Sequence, residues 1–200
     1  MYLSKRKGNT NGALTLRFHG IARGEVQAAR RIARAAGVEE HRFFSVPQLK
    51  ELSDMDPGKG LSGLPPTYIP MKNAIYYSLA AAYAEEVGAS CIVGGHNRDD
   101  LALFDDVSDE FFLQLQKTLR VGSRRLGERR LRIWRPLRAM AKSEVITLAH
   151  RVGVPFEYTW SCHKEGDRHC WECEGCSTRS ESFARAGITD PLRQKSTENV

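Results

Sequence analysis

The sequence predicts an α/β protein with a doubly wound, mostly parallel sheet and a cysteine-rich loop near its C-terminus. Three observations carry this. Short apolar runs of strand length alternate with longer helical segments, the pattern of chains that lay helices on both faces of a parallel sheet. Glycine follows the helical segments at Gly37, Gly88 and Gly153, where a left-handed residue commonly ends a helix. Four of the five cysteines lie between Cys162 and Cys176.

Residues 13–18 form the first predicted strand, which runs out at His19-Gly20. Residues 24–36 follow as an Ala- and Arg-rich helix, and residues 41–46 as a strand stopped by Pro47. Residues 53–66 hold three Gly and three Pro, which predicts an irregular loop. Tyr68-Ile69-Pro70 leads into a long helix over residues 72–87. Residues 91–95 read as a third, buried strand, with Cys91 as an inert interior residue, since free cysteine is among the most buried types. Residues 111–119 are helical, 131–134 a fourth strand, and 143–152 another helix. The expected division is an α/β domain over residues 1–155, a metal-binding module over 156–191 and a tail over 192–200.

Hydrophobic residues make up 41% of the chain, enough for a core, and no run approaches the roughly 20 apolar residues of a membrane span. The charged N-terminus has no apolar run behind it, unlike a secretory signal, so a cytoplasmic setting is expected, with no membrane partner. The net charge of +6 is uneven: residues 117–151 carry eleven Lys or Arg against Glu128 and Glu144, whereas residues 99–110 carry six acidic side chains. Such a basic stretch can steer RNA or a small anion, but a solvated helix face and loop account for most of it.

The spacing Cys162-x7-Cys170-x2-Cys173-x2-Cys176 brings four thiolates onto one ion, the tetrahedral sulfur shell that zinc prefers. In a reducing compartment such clustering points to metal, not disulfides. A closed four-sulfur shell has no position for water, so the zinc is expected to be structural. Lys164, Arg168 and Arg179 are candidates to offset its excess negative charge of about two. Two alternatives stand beside zinc with four sulfurs. One is an iron–sulfur cluster, whose usual run places a fourth cysteine where Ser180 stands. The other has His163 or His169 replacing a sulfur; both are expected instead as exposed neighbours.

Open sheets bind ligands beyond the C-terminal ends of their strands. That rule singles out His19-Gly20, residues 68–73, residues 94–99 and Arg135-Pro136.

These residues together resemble the 7-cyano-7-deazaguanine synthase (QueC) family of PP-loop ATPases. The resemblance runs through Thr67-Tyr68-Ile69-Pro70-Met71-Lys72-Asn73, Gly94-Gly95-His96-Asn97, Phe111-Phe112, Leu131-Arg132-Ile133, Pro136-Leu137 and Gly153-Val154-Pro155. It continues in Thr159-Trp160-Ser161-Cys162 and, after the cysteines, in Ser182-Phe183-Ala184, Gly187-Ile188 and Asp190-Pro191. The resemblance implies a PP-loop ATPase fold of the adenine nucleotide alpha hydrolase type. It implies conversion of 7-carboxy-7-deazaguanine and ammonia to the nitrile through an adenylated intermediate, with ATP as co-substrate and Mg2+ beside it. The product feeds queuosine or archaeosine in tRNA, yet the substrate is a free base, so no direct nucleic-acid contact is required. Lys72, Asn73, Gly95, Asn97 and Asp99 are the substrate- or nucleotide-binding candidates; no residue is assigned to the chemistry itself, and a homodimer is compatible with the pattern. Against these roles, Asn97 and Asp99 also fit a self-bonded turn, Asn73 a helix cap, and Trp160 packing on the cysteine loop in place of stacking on the base.

The sequence departs from the family in three places. Lys72 stands where Arg is usual, which keeps the charge without the planar fork. The acidic stretch after Asn97 is closer to archaeal forms, which points to archaeosine. The Ser-Gly-Gly-x-Asp-Ser turn that grips ATP phosphates is missing from this sequence. Residues 58–63 offer small side chains without a strand before them, a weaker substitute. Residues 2–8 look like the tail of the helix that follows such a turn, so the expectation is a chain starting at an internal Met and lacking roughly 30–40 residues. Two competing functions remain: another PP-loop ATPase acting on tRNA or a different carboxylate, and a non-enzymatic zinc-ribbon nucleic-acid module.

Overall fold

A computed structural model describes residues 1–6, 8, 12–17, 22–49, 51 and 68–193. The expected loop at 53–66, the substitute phosphate residues 58–63 and His19-Gly20 lie outside them. The chain forms two compact units, one of residues 1–47 with 142–200, the other of residues 48–141. The first takes in both the opening strands and the cysteine loop, whereas the sequence-based boundary lies at 155/156.

In the first unit, α1 (Tyr2–Arg6) precedes β1 (Gly12–Arg17), α2 (Arg23–Ala35) and β2 (Glu40–Ser45). β1 and β2 pair in parallel, Gly12 opposite Glu40 through Arg17 opposite Ser45, with α2 as the crossover that a parallel pair requires. Gly37 takes a φ of +64° just past α2, the left-handed turn its sequence position predicts. Later in the chain, α7 (Lys142–Arg151) packs against α8 (Glu174–Ala186). Between them, Phe156 meets Phe183 edge to face with ring centroids 4.9 Å apart.

The second unit contains α3 (Lys72–Val87), β3 (Cys91–Val93), α4 (Arg98–Leu101), α5 (Asp109–Gly122), α6 (Arg124–Glu128) and β4 (Arg132–Trp134). β3 and β4 form a second parallel pair, Cys91 opposite Arg132 and Val93 opposite Trp134. Its core has two buried groups. Ala81, Ala84, Leu126 and Leu131 form one, and Tyr77, Val107 and Phe112 the other; Ile92 of β3 packs on both. α3 runs over the predicted residues and ends at Gly88, whose φ is +71°.

Among the described residues the strands therefore form two parallel pairs, and each strand has one ladder partner. β3 also corrects the expectation of a strand buried on both faces. Side chains alternate along a strand. Ile92 turns into the core, so Cys91 and Val93 face the other way and are exposed. The Cys91 thiol is nonetheless not activated: partial desolvation pushes its pKa up, against the opposing field of Arg132. No helix among the described residues is long and apolar enough to cross a membrane.

Candidate metal centre and strand-end site

The four cysteines converge as their spacing predicts. Their sulfurs all lie within 4.8 Å of one another, and the Cys170–Cys176 and Cys162–Cys173 pairs are each 3.9 Å apart. Tetrahedral zinc with Zn–S bonds near 2.3 Å needs sulfurs about 3.8 Å apart, so the cage fits a single ion of that size. All four sulfurs are held by backbone donors: Cys170 N–H to Cys162, the N–H groups of Glu172 and Cys173 to Cys170, His163 N–H to Cys173, and Trp171 N–H to Cys176. Such donors favour thiolate. For Cys173, burial pushes the pKa up, but hydrogen bonds from His163, from Cys176 and from neighbouring thiols outweigh it and hold it at about 6. Cys170 is lowered chiefly by the Glu172 N–H, and burial pushes Cys176 up to about 12 in the absence of an ion.

The surroundings of the cage correct two expectations. Arg179 is not a counter-cation for the sulfurs. Its guanidinium forms a two-pronged pair with Asp190 at 2.6 and 2.8 Å, and it also donates to Thr159 Oγ1 at 2.6 Å and to the Phe156 carbonyl at 3.4 Å. Both charged side chains are 5% exposed. An Arg on the buried face of α8 needs a buried carboxylate, and Asp190 supplies it. Lys164 does face the loop, paired with Glu172 at 3.1 Å, and its pKa is raised first by that carboxylate and then by Cys170. His163 is exposed as expected, but His169 is half-buried: its Nε2 accepts from Ser161 N–H at 3.1 Å, and its ring lies 4.4 Å from that of Trp160. That nitrogen is committed to Ser161, away from the sulfur cage.

Trp160 takes its packing role. Its Nε1 donates to the Cys162 carbonyl at 2.7 Å, and its indole presses on Gly24 of α2, where an added Cβ would come within 2.4 Å of the ring. The cysteine loop is thereby tied to α2 of its unit.

In the second unit, the ends of β3 and β4 and the start of α3 bring polar groups together. Met71 caps α3 with a left-handed φ of 54° and no side-chain acceptor. Asp106 supplies the missing acceptor, taking hydrogen bonds from Asn73 N–H and Nδ2, both at 3.0 Å. Asn97 caps α4: its Oδ1 accepts from Asp99 N–H at 2.8 Å, while Asp100 accepts from Asn97 N–H at 3.0 Å. This reciprocal box satisfies two helix donors. His96 lies 5.9 Å from the Tyr77 ring and 5.3 Å from the Phe112 ring. Burial lowers its pKa against the pull of Asp100, and it also feels Arg135, Asp106 and Lys72, so these charges share one neighbourhood. Arg135, nearly buried just past β4, lies over the Phe112 ring at 4.2 Å, donates to the Val107 carbonyl and pairs with Asp109.

Comparison with known proteins bears on both constellations. A family model described as "Queuosine biosynthesis protein QueC" matches residues 1–187. The chain belongs to this family. Among curated relatives, one from Trichodesmium erythraeum, named 7-cyano-7-deazaguanine synthase, is 34% identical over 206 residues, covering 96% of this chain and 92% of the relative. A namesake from Thermosynechococcus vestitus is 33% identical across 96% of this chain and 88% of its own length. One from Thermoplasma acidophilum, with the same name, is 40% identical over 130 residues, 64% of this chain and 54% of the relative. The QueC match gives the strand pairs their class, a PP-loop ATPase α/β fold.

Of the QueC residues singled out from sequence, Lys72 and Asn73 open α3, while Gly95, Asn97 and Asp99 follow β3. Gly95 faces open space, since an added Cβ meets nothing within 4 Å. Gly94 is the tighter position: a Cβ there would stand 1.8 Å from the Tyr77 hydroxyl. Asp106 as a partner of Asn73 went unread in the sequence, as did the packing of His96 and Arg135 on Phe112, although the strand-end rule singles out both of their segments. Asp106 sits 33 residues from its partner Asn73, inside a charge run with no local signature.

Proposed function

We propose that this chain converts 7-carboxy-7-deazaguanine and ammonia to 7-cyano-7-deazaguanine in an ATP-dependent reaction, and that its cysteine cage holds one structural zinc ion. The observation that carries the reading is the match to proteins of that name over 96% of the chain. A carboxylate resists ammonia because its charge repels a nucleophile and oxide leaves poorly. Transfer of AMP to a carboxylate oxygen, with release of pyrophosphate, supplies a leaving group. Ammonia then displaces AMP to give the amide, and a second activation, now of the amide oxygen, allows loss of that oxygen and formation of the nitrile. The nitrile is a precursor of queuosine or archaeosine.

The protein's share is positioning and charge stabilisation. Lys72, fixed at the start of α3 by the Asn73–Asp106 pair, is suited to a phosphate oxygen. Gly95 allows close approach of a ligand to backbone, and Asp99 follows the Asn97 cap at the same strand end. Asn97 Oδ1 is committed to that cap, which leaves its amide nitrogen as the group available to substrate. Magnesium accompanies ATP and neutralises phosphate charge.

The test is the kinetics of Lys72→Ala alongside titration with 7-carboxy-7-deazaguanine and with a tRNA mixture. The reading expects kcat/KM to fall at least tenfold with the melting temperature unchanged. Salt-sensitive tRNA binding without binding of the base would overturn it in favour of a tRNA-directed ATPase.

A further inference from the structure

The β1–β2 pair carries a group of cations that the proposed reaction does not use. Thr15 and Arg17 of β1 lie opposite Phe43 and Ser45 of β2, and Ala13 lies opposite His41. Residues two apart on a strand share a face, so Thr15, Arg17, His41 and Phe43 all project from one side of the pair. The Arg17 guanidinium carbon is 5.4 Å from the centre of the Phe43 ring. α2 brings Arg30 to the same ring at 4.8 Å. The His41 ring lies 4.2 Å from Phe43, and its Nε2 is 2.8 Å from Thr15 Oγ1.

Two guanidiniums on one ring repel each other, and a folded chain ordinarily places a carboxylate between such groups. Among the described residues neither Arg17 nor Arg30 has an ion-pair partner. Glu40, the acidic residue of β2, is held by Arg42 at 2.9 Å, and Arg31, next to Arg30, bonds Gln27 instead. Arg17 Nε is buried and makes no hydrogen bond. A buried N–H without an acceptor is uncommon enough to require an explanation. His41, kept below its usual pKa by burial and by the Arg30 charge, adds no third charge at neutral pH. The cluster therefore has two formal positive charges, an unused donor and an exposed entrance on the Arg30 side.

We propose that Arg17 and Arg30, seated on the Phe43 ring, form a binding site for a phosphate-type oxyanion. Planar guanidiniums match phosphate oxygens in pairs, and a terminal phosphate carries nearly two negative charges at neutral pH, which balances the two cations where a single carboxylate would not. The site stands apart from the proposed ligase reaction and does not depend on it.

Isothermal titration of the full 200-residue chain with inorganic phosphate and with AMP, at constant ionic strength set with chloride, tests this. Arg17→Gln and Arg30→Gln should each weaken binding at least tenfold. Arg34→Gln removes the same charge from the exposed surface of α2 and should change it less than twofold. Arg17→Lys should recover part of the loss, since the charge returns without the fork. Arg30 is on the exposed helix surface, so Arg30→Gln carries the test if Arg17→Gln misfolds. AMP binding at least tenfold tighter than phosphate identifies a nucleotide phosphate as the ligand; equal affinities identify free phosphate, and both outcomes support the site. Absence of binding by either anion, or an equal loss in Arg34→Gln, overturns it.

Discussion

Replacing Asp190 with asparagine removes the charge that balances Arg179 while keeping the side chain's shape. In the native chain the two side chains are each 5% exposed and share two hydrogen bonds, at 2.6 and 2.8 Å. Arg179 would keep Thr159 Oγ1 and the Phe156 carbonyl, and its charge would still lie over the Phe183 ring at 5.0 Å. None of these neutralises it. Leaving one partner of a buried pair uncompensated costs about 3–5 kcal/mol, and the retained hydrogen bonds favour the lower end, about 3 kcal/mol. With a urea dependence of about 2 kcal/mol per molar, the unfolding midpoint should fall by about 1.5 M. Trp160 and Trp171 lie in the same unit as the pair, so their fluorescence follows the transition. The double variant Arg179→Met, Asp190→Leu should be closer to wild type than either single change, because no charge is then stranded. A loss within about 0.5 kcal/mol for Asp190→Asn, typical of exposed positions, would refute the argument.

Further outcomes follow from the same contacts. Gly94→Ala should cost about 1–3 kcal/mol by driving a methyl into the Tyr77 hydroxyl; thermal melts should show Tyr77→Phe restoring most of the loss. Cys170→Ser with Cys173→Ser should abolish stoichiometric zinc, measured by elemental analysis; unchanged metal content would refute the cage. In metal-free chain at pH 7, iodoacetamide should modify Cys173, whose thiol is held at about 6, faster than exposed Cys91, whose pKa is raised. Peptide mapping reads the order. Because thiolate is the ligand, zinc retention should fall as pH falls, with release lying below the metal-free thiol range since the bound ion itself holds the sulfurs deprotonated.

Local signals made much of this fold legible. The helix over 72–87, with Pro70 before it and Gly88 after it, needed no tertiary information, and the x7-x2-x2 cysteine spacing fixed the metal cage. α8 was less visible because the cysteines dominated the reading of its first turn, although Cys176, Arg179 and Phe183 already recur at helical spacing on its buried face. Cys91 misled because a short apolar run does not say which faces of a strand are covered. Arg179 misled because nearness in sequence to the cysteines suggested a counter-cation, while its partner lies 11 residues on. Asp106 and Arg135 act across long separations in the chain, and a string of acidic residues does not reveal which one caps a distant helix.

The central claim is tested most directly by assaying nitrile formation from 7-carboxy-7-deazaguanine and ammonia, with and without ATP. The account predicts ATP-dependent formation of 7-cyano-7-deazaguanine that stops when ATP is withheld. No nitrile with ATP present, the cysteine cage metallated and the protein folded, would contradict it.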